Sequence, residues 1–456
     1  MANEDQMGTD KPARAGWATT DITPPLGLPM GGRGTRYTPG AEVLDPLLMQ
    51  ALILEDAAGE RVLWLSLDMI GLSWTMSARF RHELAAQTGI SFAHIVLNFS
   101  HTHSGPMSGF EGYATERPQP PEMAVYEEGL IGKAVLLLHE ALRMLAPATL
   151  RWHHGSSQIG INRRARDEQG QMGLRPNADG HYNTDLWVLD ICAEGVGRCV
   201  AFSHGCHPVI VYGYAWDAIS ADFPGVCRRA LKERLGEGVH AQFFQGLAGN
   251  VRPRLLANLE MGKFDKGNAD SPIKVGRELA GDVLAALAVE GAELELKLAV
   301  AATWVMAERD QGFWPLAHWQ DLTKSANEMQ RELGQYWSRR YTDGLPPVRA
   351  VPWEMGLLQL SAEFRIAYFS GEVLGEWLPL LRTWLSDEKL VAWAYCQDGR
   401  GYMPTDALLA EGGYEVLNSN HYNKSGPDPF KEGLDARVKR AFLQLYTQLK
   451  NEGSRL

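Results

Sequence analysis

The amino-acid sequence predicts an α/β fold, in which helices flank a mixed β-sheet. Residues 61–70 and 94–100 are nearly continuous apolar runs, as is typical of strands that are buried on both faces. Residues 75–88, between these two runs, have the apolar spacing of a helix. A strand, a helix and a second strand in this order favour helices packed in layers against a sheet.

The same alternation continues along the chain without a clear linker or an internal repeat, so we predict a single domain over residues 1–456. Further strands are predicted at 42–54, 148–153, 184–192, 197–203, 239–244, 294–306 and 389–395, with a hairpin-like alternation at 355–370. Further helices are predicted at 123–145, 223–234, 272–289, 373–386 and 429–451. Residues 315–341 have the pattern of one or two amphipathic helices, so we expect a helical cap or insertion at 310–345.

Composition excludes several classes of function. The net charge of -11 is spread along 456 residues without a block of Lys and Arg, so no nucleic-acid partner is expected. No run of eighteen uncharged apolar residues occurs, and the polar first sixteen residues lack the apolar stretch of a signal peptide. We therefore expect a soluble, cytoplasmic protein with no membrane partner. The five cysteines, an odd number without a C-x-x-C pair, predict reduced thiols rather than a disulfide framework or a thiolate zinc site.

Two pairs of histidines follow predicted strands. His101 and His103 stand two apart in NFSHTHSGP, and residues two apart in an extended chain point to the same side. His204 and His207 follow the strand predicted at 197–203, in AFSHGCHP. Because open α/β sheets bind ligands beyond the carboxyl ends of their strands, these histidines are candidate metal ligands.

Two oxygen donors also follow glycines near predicted strand ends. Glu372 stands in YFSGEVLGE at a predicted helix start, and Tyr414 stands in GGYE. Taken alone, such a glutamate serves the helix dipole and such a tyrosine packs in the core. Taken with the histidines, they match the nitrogen and oxygen ligands of a catalytic zinc site that keeps one position open for water.

Seven segments, in order, resemble the neutral (non-lysosomal) ceramidases and their shorter bacterial relatives. They are DITPPLGLPMGG at 21–32, SHTHSGP at 100–106, GINRRA at 160–165, CHPVIV with SADFPG downstream, FFQGLAGNVRP at 243–253, SGE at 370–372 and GGYE at 412–415. H-T-H-S-G-P is the most specific of them. The resemblance covers nearly the whole chain and implies a ceramidase-like catalytic domain.

By this resemblance, one zinc ion per chain is bound by four residues, His101, His207, Glu372 and Tyr414. His207 is the histidine that precedes a proline and lies fifteen residues before Asp222, and His204 is the alternative ligand. The resemblance also implies that His103 supports the metal ligands or contacts the substrate and can move a proton, and that Arg163 contacts the carbonyl or carboxylate of the substrate. In the expected mechanism, Arg163 and zinc stabilise the oxyanion. Tyr422 is a further candidate for contact with the substrate.

The chain departs from the family pattern in three ways. Arg252 stands in GNVRP where the ceramidases carry a serine proposed to be catalytic, so a mechanism that relies on this serine is not expected. Arg252 would instead bind an anionic substrate group, stabilise an oxyanion or form a structural ion pair. The chain is also too short for the family's carboxyl-terminal immunoglobulin-like domain and lacks a secretion signal, so a long-chain sphingolipid is not the expected substrate.

The sequence therefore predicts a zinc-dependent hydrolase in which metal-bound water attacks an amide carbonyl of a small soluble substrate. An esterase or lactonase that uses the same site is the first alternative. A metal-containing binding protein without turnover is an alternative of another class, and a lyase or isomerase that stabilises an enolate is a third. Oligomeric state, substrate identity and the metal bound in the cell stay open.

Overall fold

The computed structural model describes residues 11–32, 37–345 and 347–453. The first ten residues, which belong to the polar segment without a signal-peptide pattern, lie outside this range.

The strands are β1 (Arg14–Asp21), β2 (Glu42–Val43), β3 (Leu48–Glu55), β4 (Arg61–Leu67), β5 (Ile95–Phe99), β6 (Ala146–Ser156), β7 (Gly160–Arg166), β8 (Met172–Asn177), β9 (Asp185–Ala193), β10 (Gly197–His204), β11 (Ala218–Ile219), β12 (His240–Gln245), β13 (Val251–Pro253), β14 (Ala257–Asn258), β15 (Lys263–Phe264), β16 (Ala292–Glu293), β17 (Ala299–Glu308), β18 (Ala350–Gln359), β19 (Arg365–Ser370), β20 (Glu372–Val373), β21 (Val391–Cys396) and β22 (Tyr402–Met403).

The helices run between and after these strands. They are α1 (Trp74–Thr88), α2 (Pro121–Arg143), α3 (Val211–Tyr214), α4 (Asp222–Leu235), α5 (Asp270–Ala288), α6 (Leu316–Leu322), α7 (Glu328–Thr342), α8 (Trp377–Leu385), α9 (Asp406–Glu411) and α10 (Leu434–Gly453). Local signals explain their ends. In α1, for example, the side chain of Ser73 accepts a hydrogen bond from the backbone of Met76, and Gly89 ends the helix with a φ of 70°.

Thirteen of the described strands form one sheet. Its order is β12-β10-β9-β6-β1-β3-β4-β5-β21-β19-β18-β17, and β16 pairs with β6. Three pairs of neighbours are parallel, β10 with β12, β4 with β5, and β19 with β21, and the others are antiparallel. The sheet is therefore mixed, as the sequence predicts.

The large sheet bends so that two parts of it face each other. The rings of Trp64 in β4 and Trp187 in β9 have centroids 6.4 Å apart, although four steps along the sheet separate these strands. Neighbouring strands are about 4.8 Å apart, so a flat sheet would hold β4 and β9 about 19 Å apart. Trp393 of β21 and Phe244 of β12 also pack against Trp64, in the space between the two parts.

Helices cover both outer faces of the bent sheet. Helices α1, α2, α8 and α10 share one buried apolar cluster with β3, β4, β5, β18 and β19. Helices α4 and α5 share another with β9, β10 and β12. The order of layers is helix, sheet, sheet and helix, which confirms the predicted α/β class.

Several element boundaries differ from the predicted ones. The strand predicted at 42–54 is divided into β2 and β3, because Pro46 has no backbone N–H for a ladder and Asp45 accepts a hydrogen bond from the backbone of Ala221 at 3.1 Å. The strand predicted at 294–306 begins at Ala299. Strands β1, β7 and β8 were not predicted, because polar and charged residues interrupt their apolar pattern.

Helices α6 and α7 occupy the region where a cap was predicted. Trp319 of α6 and Trp337 of α7 are buried in a small cluster that includes Ala114. The indole N–H of Trp337 donates to the backbone oxygen of His421 at 2.9 Å, which ties α7 to the loop before Tyr422. No helix within the described ranges is both long enough and apolar enough to cross a membrane. The five cysteines are all free thiols, and four of them are buried.

Candidate metal centre

The loop after β5 carries His101 and His103. His101 has a φ of 63°, a left-handed conformation that costs energy for a residue with a side chain and is held here by tertiary contacts. Its backbone N–H donates to Met69 at 3.0 Å, and its ring Nδ1 lies 2.7 Å from the backbone oxygen of Ile70. The backbone N–H of His103 donates to Pro208 in the loop after β10 at 3.2 Å. The two histidine loops are thus joined through the main chain.

His207 lies in that second loop and is completely buried. Its Nδ1 is 2.6 Å from the backbone oxygen of Ala248, and its backbone N–H donates to Val251 at 3.2 Å. The carboxylate of Asp222 accepts hydrogen bonds from the backbones of Ile210 and Val211 at 2.8 and 2.9 Å, which holds the turn after His207 in place. This contact gives the SADFPG segment its structural role.

Glu372 lies between the ends of β19 and β21. The sequence predicts it in a first helical turn, but it lies in the short strand β20, and α8 begins only at Trp377. Its backbone N–H donates to Gly401 at 2.7 Å. One carboxylate oxygen, Oε2, is 3.2 Å from Nε2 of His101 and 3.2 Å from Nε2 of His207. The three side chains converge on one point.

The donor set of this cluster suits a metal ion. The Nδ1 atoms of His101 and His207 face backbone oxygens, which only accept hydrogen bonds, so each Nδ1 carries a proton and each Nε2 is turned towards Glu372. Burial has the largest effect on the pKa of His207, and together with the positive charge of Arg163 it lowers that pKa to about 3, so this ring is neutral. One cation can bind to the carboxylate and to both Nε2 atoms. His103 has a ring nitrogen within 4.8 Å of those of the other two histidines.

Three tyrosines surround the cluster, and sequence analysis singled out only one of them. Tyr402 pairs in register with Glu372 across β20 and β22, so their side chains leave the strands on the same side. Its ring stacks over His207 with centroids 6.4 Å apart, and Tyr414 lies behind it at 5.7 Å. Tyr395, with a φ of 55°, has its ring 4.4 Å from that of His101. The pairing between β20 and β22 identifies Tyr402, and no local motif could have done so.

Arg163 belongs to a buried ion cluster beside the tyrosines. Its Nε donates to Glu415 at 2.9 Å, and its terminal nitrogen donates to the hydroxyl of Tyr402 at 2.9 Å. Arg164 donates to the other oxygen of Glu415 at 2.7 Å. The neighbouring negative groups raise the pKa of Arg163 even though burial opposes it. The GINRRA and GGYE segments are therefore joined through one carboxylate.

Two glycines allow the close packing around the site. A side-chain carbon at Gly32, the last residue of the DITPPLGLPMGG segment, would lie 2.7 Å from Cβ of His103. One at Gly249 would lie 2.8 Å from the backbone oxygen of Glu372. Carbon atoms do not approach this closely without displacing a neighbour, so any larger residue would move His103 or Glu372.

A cavity of about 500 Å³ opens above the cluster. Its lining includes His101, His103, Glu372, Tyr402 and Tyr414, and also Tyr422. A volume of this size suits a small molecule rather than a polymer.

Comparison with solved structures identifies the architecture. A neutral ceramidase from Pseudomonas aeruginosa matches with a TM-score of 0.72 at 18% sequence identity, over 97% of this chain and 75% of that one. The structure of a ceramidase complexed with C2 matches with a TM-score of 0.72 at 17% identity, over 97% of this chain and 76% of that one. The protein has a neutral ceramidase-like fold. No protein-family model and no curated protein matches the chain.

The ceramidase-like fold brings together most of the site residues singled out in the sequence. His101, His103, His207 and Glu372 meet in one cluster, and Tyr414 lines the cavity above it. His204 lies apart from them: its Nδ1 faces the backbone of Asp185 at 3.1 Å, and it lines a different cavity. Arg163 donates to the hydroxyl of Tyr402, and Arg252 lies close enough to Arg163 for their charges to interact, but neither arginine lines the cavity.

Proposed function

We propose that the protein is a zinc-dependent hydrolase that cleaves an amide bond of a small soluble substrate. The observation that carries this proposal is the convergence of the Nε2 atoms of His101 and His207 on one carboxylate oxygen of Glu372, each at 3.2 Å, beside a cavity that His101 and Glu372 line. Cleavage adds water across the carbon–nitrogen bond and releases a carboxylate and an amine. Zinc, when bound, supplies polarisation of the carbonyl and a lowered pKa for a water molecule.

The residues around the cluster divide the remaining work. His103 is partly buried beside His101 and His207, and desolvation lowers its pKa well below the ordinary value, so it is neutral and can accept a proton from water. Arg163, held by Glu415 and Tyr402, places a fixed positive charge where an oxyanion develops. His101, His207 and Glu372 hold the metal, and a tyrosine completes its shell.

The amide is favoured over the ester because both structural neighbours are ceramidases, enzymes named for cleaving the amide of ceramide. The first alternative is an esterase or lactonase that uses the same residues. The second is a metal-containing binding protein without turnover. Hydrolysis of matched amides, esters and lactones by the purified protein, with its metal content measured in parallel, separates the three.

Two further features of the chain remain proposals. We propose that residues 1–456 act as one catalytic domain, in which α6 and α7 are a cap that supports the cavity wall at Tyr422 through the Trp337 contact. We also propose that the protein has no nucleic-acid partner, because its negative charge is spread along the sequence without a block of Lys and Arg. The cytoplasmic location stays a prediction. Sedimentation of the purified protein decides whether it forms a homo-oligomer.

Metal removal tests the cluster without any substrate. If zinc binds the folded protein alone, chelation removes about 4 kcal/mol of stability at a thousandfold excess over Kd, and Tm falls by about 5 °C. Adding zinc should restore Tm, whereas magnesium should not, because magnesium prefers oxygen ligands. An unchanged Tm after chelation, in a protein that also contains no zinc, would contradict the metal site.

Replacing each tyrosine tests which one completes the metal shell. Sequence resemblance points to Tyr414, whereas register with Glu372 and the hydrogen bond from Arg163 favour Tyr402. We expect Tyr402→Phe to weaken zinc affinity by about tenfold or more, and Tyr414→Phe to leave it within about threefold. Competition with a chromophoric chelator measures both. The reverse order of effects would return the role to Tyr414.

A further inference from the structure

Arg252 is held at the edge of the metal centre by its own backbone neighbours. The backbone oxygen of Asn250 accepts a hydrogen bond from Arg163 at 2.8 Å, and that of Val251 accepts one from His207 at 3.2 Å. Arg252 follows directly in β13, where it pairs with Ile161 of β7. Hydrogen bonds from Arg163 and His207 to the two preceding residues therefore fix the backbone position of Arg252.

The charge of Arg252 is not balanced by the protein. Within the described residues, no carboxylate lies at ion-pair distance from it, and its Nε is buried without a hydrogen-bond partner. Its guanidinium lies over the ring of Phe264, 4.6 Å from the centroid. Burial has the largest effect on the pKa of Arg252, and together with the positive charge of Arg163 it lowers that pKa to about 10. The guanidinium still carries its charge at neutral pH.

Most other buried arginines within the described residues are paired with acids. Arg309 is not, but its guanidinium donates to the backbone oxygen of Asp428 and to the hydroxyl of Ser425. Arg81 donates to Glu354 at 2.8 Å, and Arg163 and Arg164 share Glu415. A buried charge without a counterion is costly, so proteins keep one mainly where a ligand supplies the opposite charge. An arginine without a counterion beside the candidate metal centre therefore suits an anionic ligand.

A bound substrate is one source of such an anion. The side chain of Arg252 is partly exposed. Arg252 does not line the cavity itself, but its charge interacts with Tyr212 and Tyr402. The ring of Tyr212 lies 5.5 Å from that of His103, and Tyr402 lines the cavity. A molecule with its carbonyl at the metal centre would extend past these tyrosines towards the guanidinium.

We propose that Arg252 binds a carboxylate of the substrate, so that the enzyme prefers amides that carry a carboxylate, such as N-acyl amino acids, to their neutral analogues. This inference rests on the proposed hydrolase function. The planar guanidinium can form two hydrogen bonds with one carboxylate, which a serine at this position could not do. Arg252 is thus a determinant of substrate choice.

Matched substrates test the preference. The first pair is N-octanoylglycine and N-octanoylglycinamide, and the second is the N-propyl monoamide of succinic acid and N-propylbutyramide. We expect the intact protein to prefer the carboxylate in at least one pair, and Arg252→Gln to reduce that ratio of kcat/KM values by about 30-fold or more. Arg252→Lys should keep part of the preference, because it keeps the charge but not the paired hydrogen bonds.

Arg254→Gln is the matched control. It removes the same charge two residues along, where Arg254 donates to the hydroxyl of Tyr182 at 2.7 Å on the exposed side, and it should leave the ratio unchanged. The inference is overturned if the intact protein shows no carboxylate preference in either pair, or if Arg252→Gln keeps the ratio of the intact protein.

Calorimetry separates this inference from the proposed reaction. If the protein hydrolyses none of the amides, the hydrolase proposal fails, and binding of the two carboxylates is then measured directly. Binding by the intact protein that Arg252→Gln loses and Arg254→Gln keeps would still support a carboxylate site. Absent binding, or equal binding by Arg252→Gln, would overturn it.

Discussion

Replacing Glu372 by glutamine is expected to remove the metal and, with it, about a thousandfold or more of the activity. The carboxylate oxygen lies 3.2 Å from the Nε2 atoms of both His101 and His207, and glutamine keeps its shape but loses its charge. A catalytic metal supplies several kcal/mol of transition-state stabilisation, and each 1.4 kcal/mol is about a factor of ten in rate. Metal analysis of the purified variant and kcat on the best substrate measure the two losses.

Glu376→Gln is the matched control for this experiment. Glu376 lies four residues further on, just before α8, and the side-chain amide of Asn250 donates to its two oxygens at 2.9 Å each, so it does not face the histidines. The Glu376→Gln protein should keep its zinc. A Glu372→Gln protein that retains both full zinc and full activity would refute the proposed ligand set, whereas one that retains zinc but loses activity would assign Glu372 to the chemistry alone.

Replacing Glu415 by glutamine is expected to destabilise the fold by about 3–5 kcal/mol, the usual cost of leaving buried charges unpaired. Glu415 is 1% exposed and accepts hydrogen bonds from Arg163 at 2.9 Å and from Arg164 at 2.7 Å. Its loss would leave two adjacent guanidinium groups without this counterion. Urea unfolding measures the change in free energy, and activity should fall as well because Arg163 loses its orientation.

Glu411→Gln provides the comparison. Glu411 contacts only Arg164, at 3.1 Å, and its side chain is 38% exposed, so water screens the pair. Its replacement should cost less than about 1 kcal/mol. Equal losses of stability in the two variants would mean that burial of the Glu415 pairs contributes nothing.

The sequence located the clustered histidines because they follow strand ends. His101 and His207 come after apolar runs that predict β5 and β10, and short breaks mark where each strand stops. Glu372 was also found, although its local structure is a short strand and not a helix start. Such local signals survive folding because burial of an apolar run and the chain break after it are properties of neighbouring residues.

Tyr402 and the partner of Arg163 could not be found in this way. Tyr402 reaches the site because β22 pairs with β20, although α8 and β21 separate these two strands in the sequence. Glu415 was visible in a motif, but only the folded chain shows that it binds two arginines from β7. The choice between His204 and His207 is of the same kind, since both follow one strand and only their packing differs.

The sequence by itself thus determined the α/β class, the strands that lead into the site and the residue types that could hold a metal. Tertiary structure alone decided which of these side chains converge, which tyrosine pairs with Glu372 and that Arg252 lies beside Arg163 without a counterion. The physical reason is that strand ends depend on short-range patterns of polarity and turn residues, whereas convergence depends on register and on the bending of the sheet. Those are set by contacts between segments far apart in the chain.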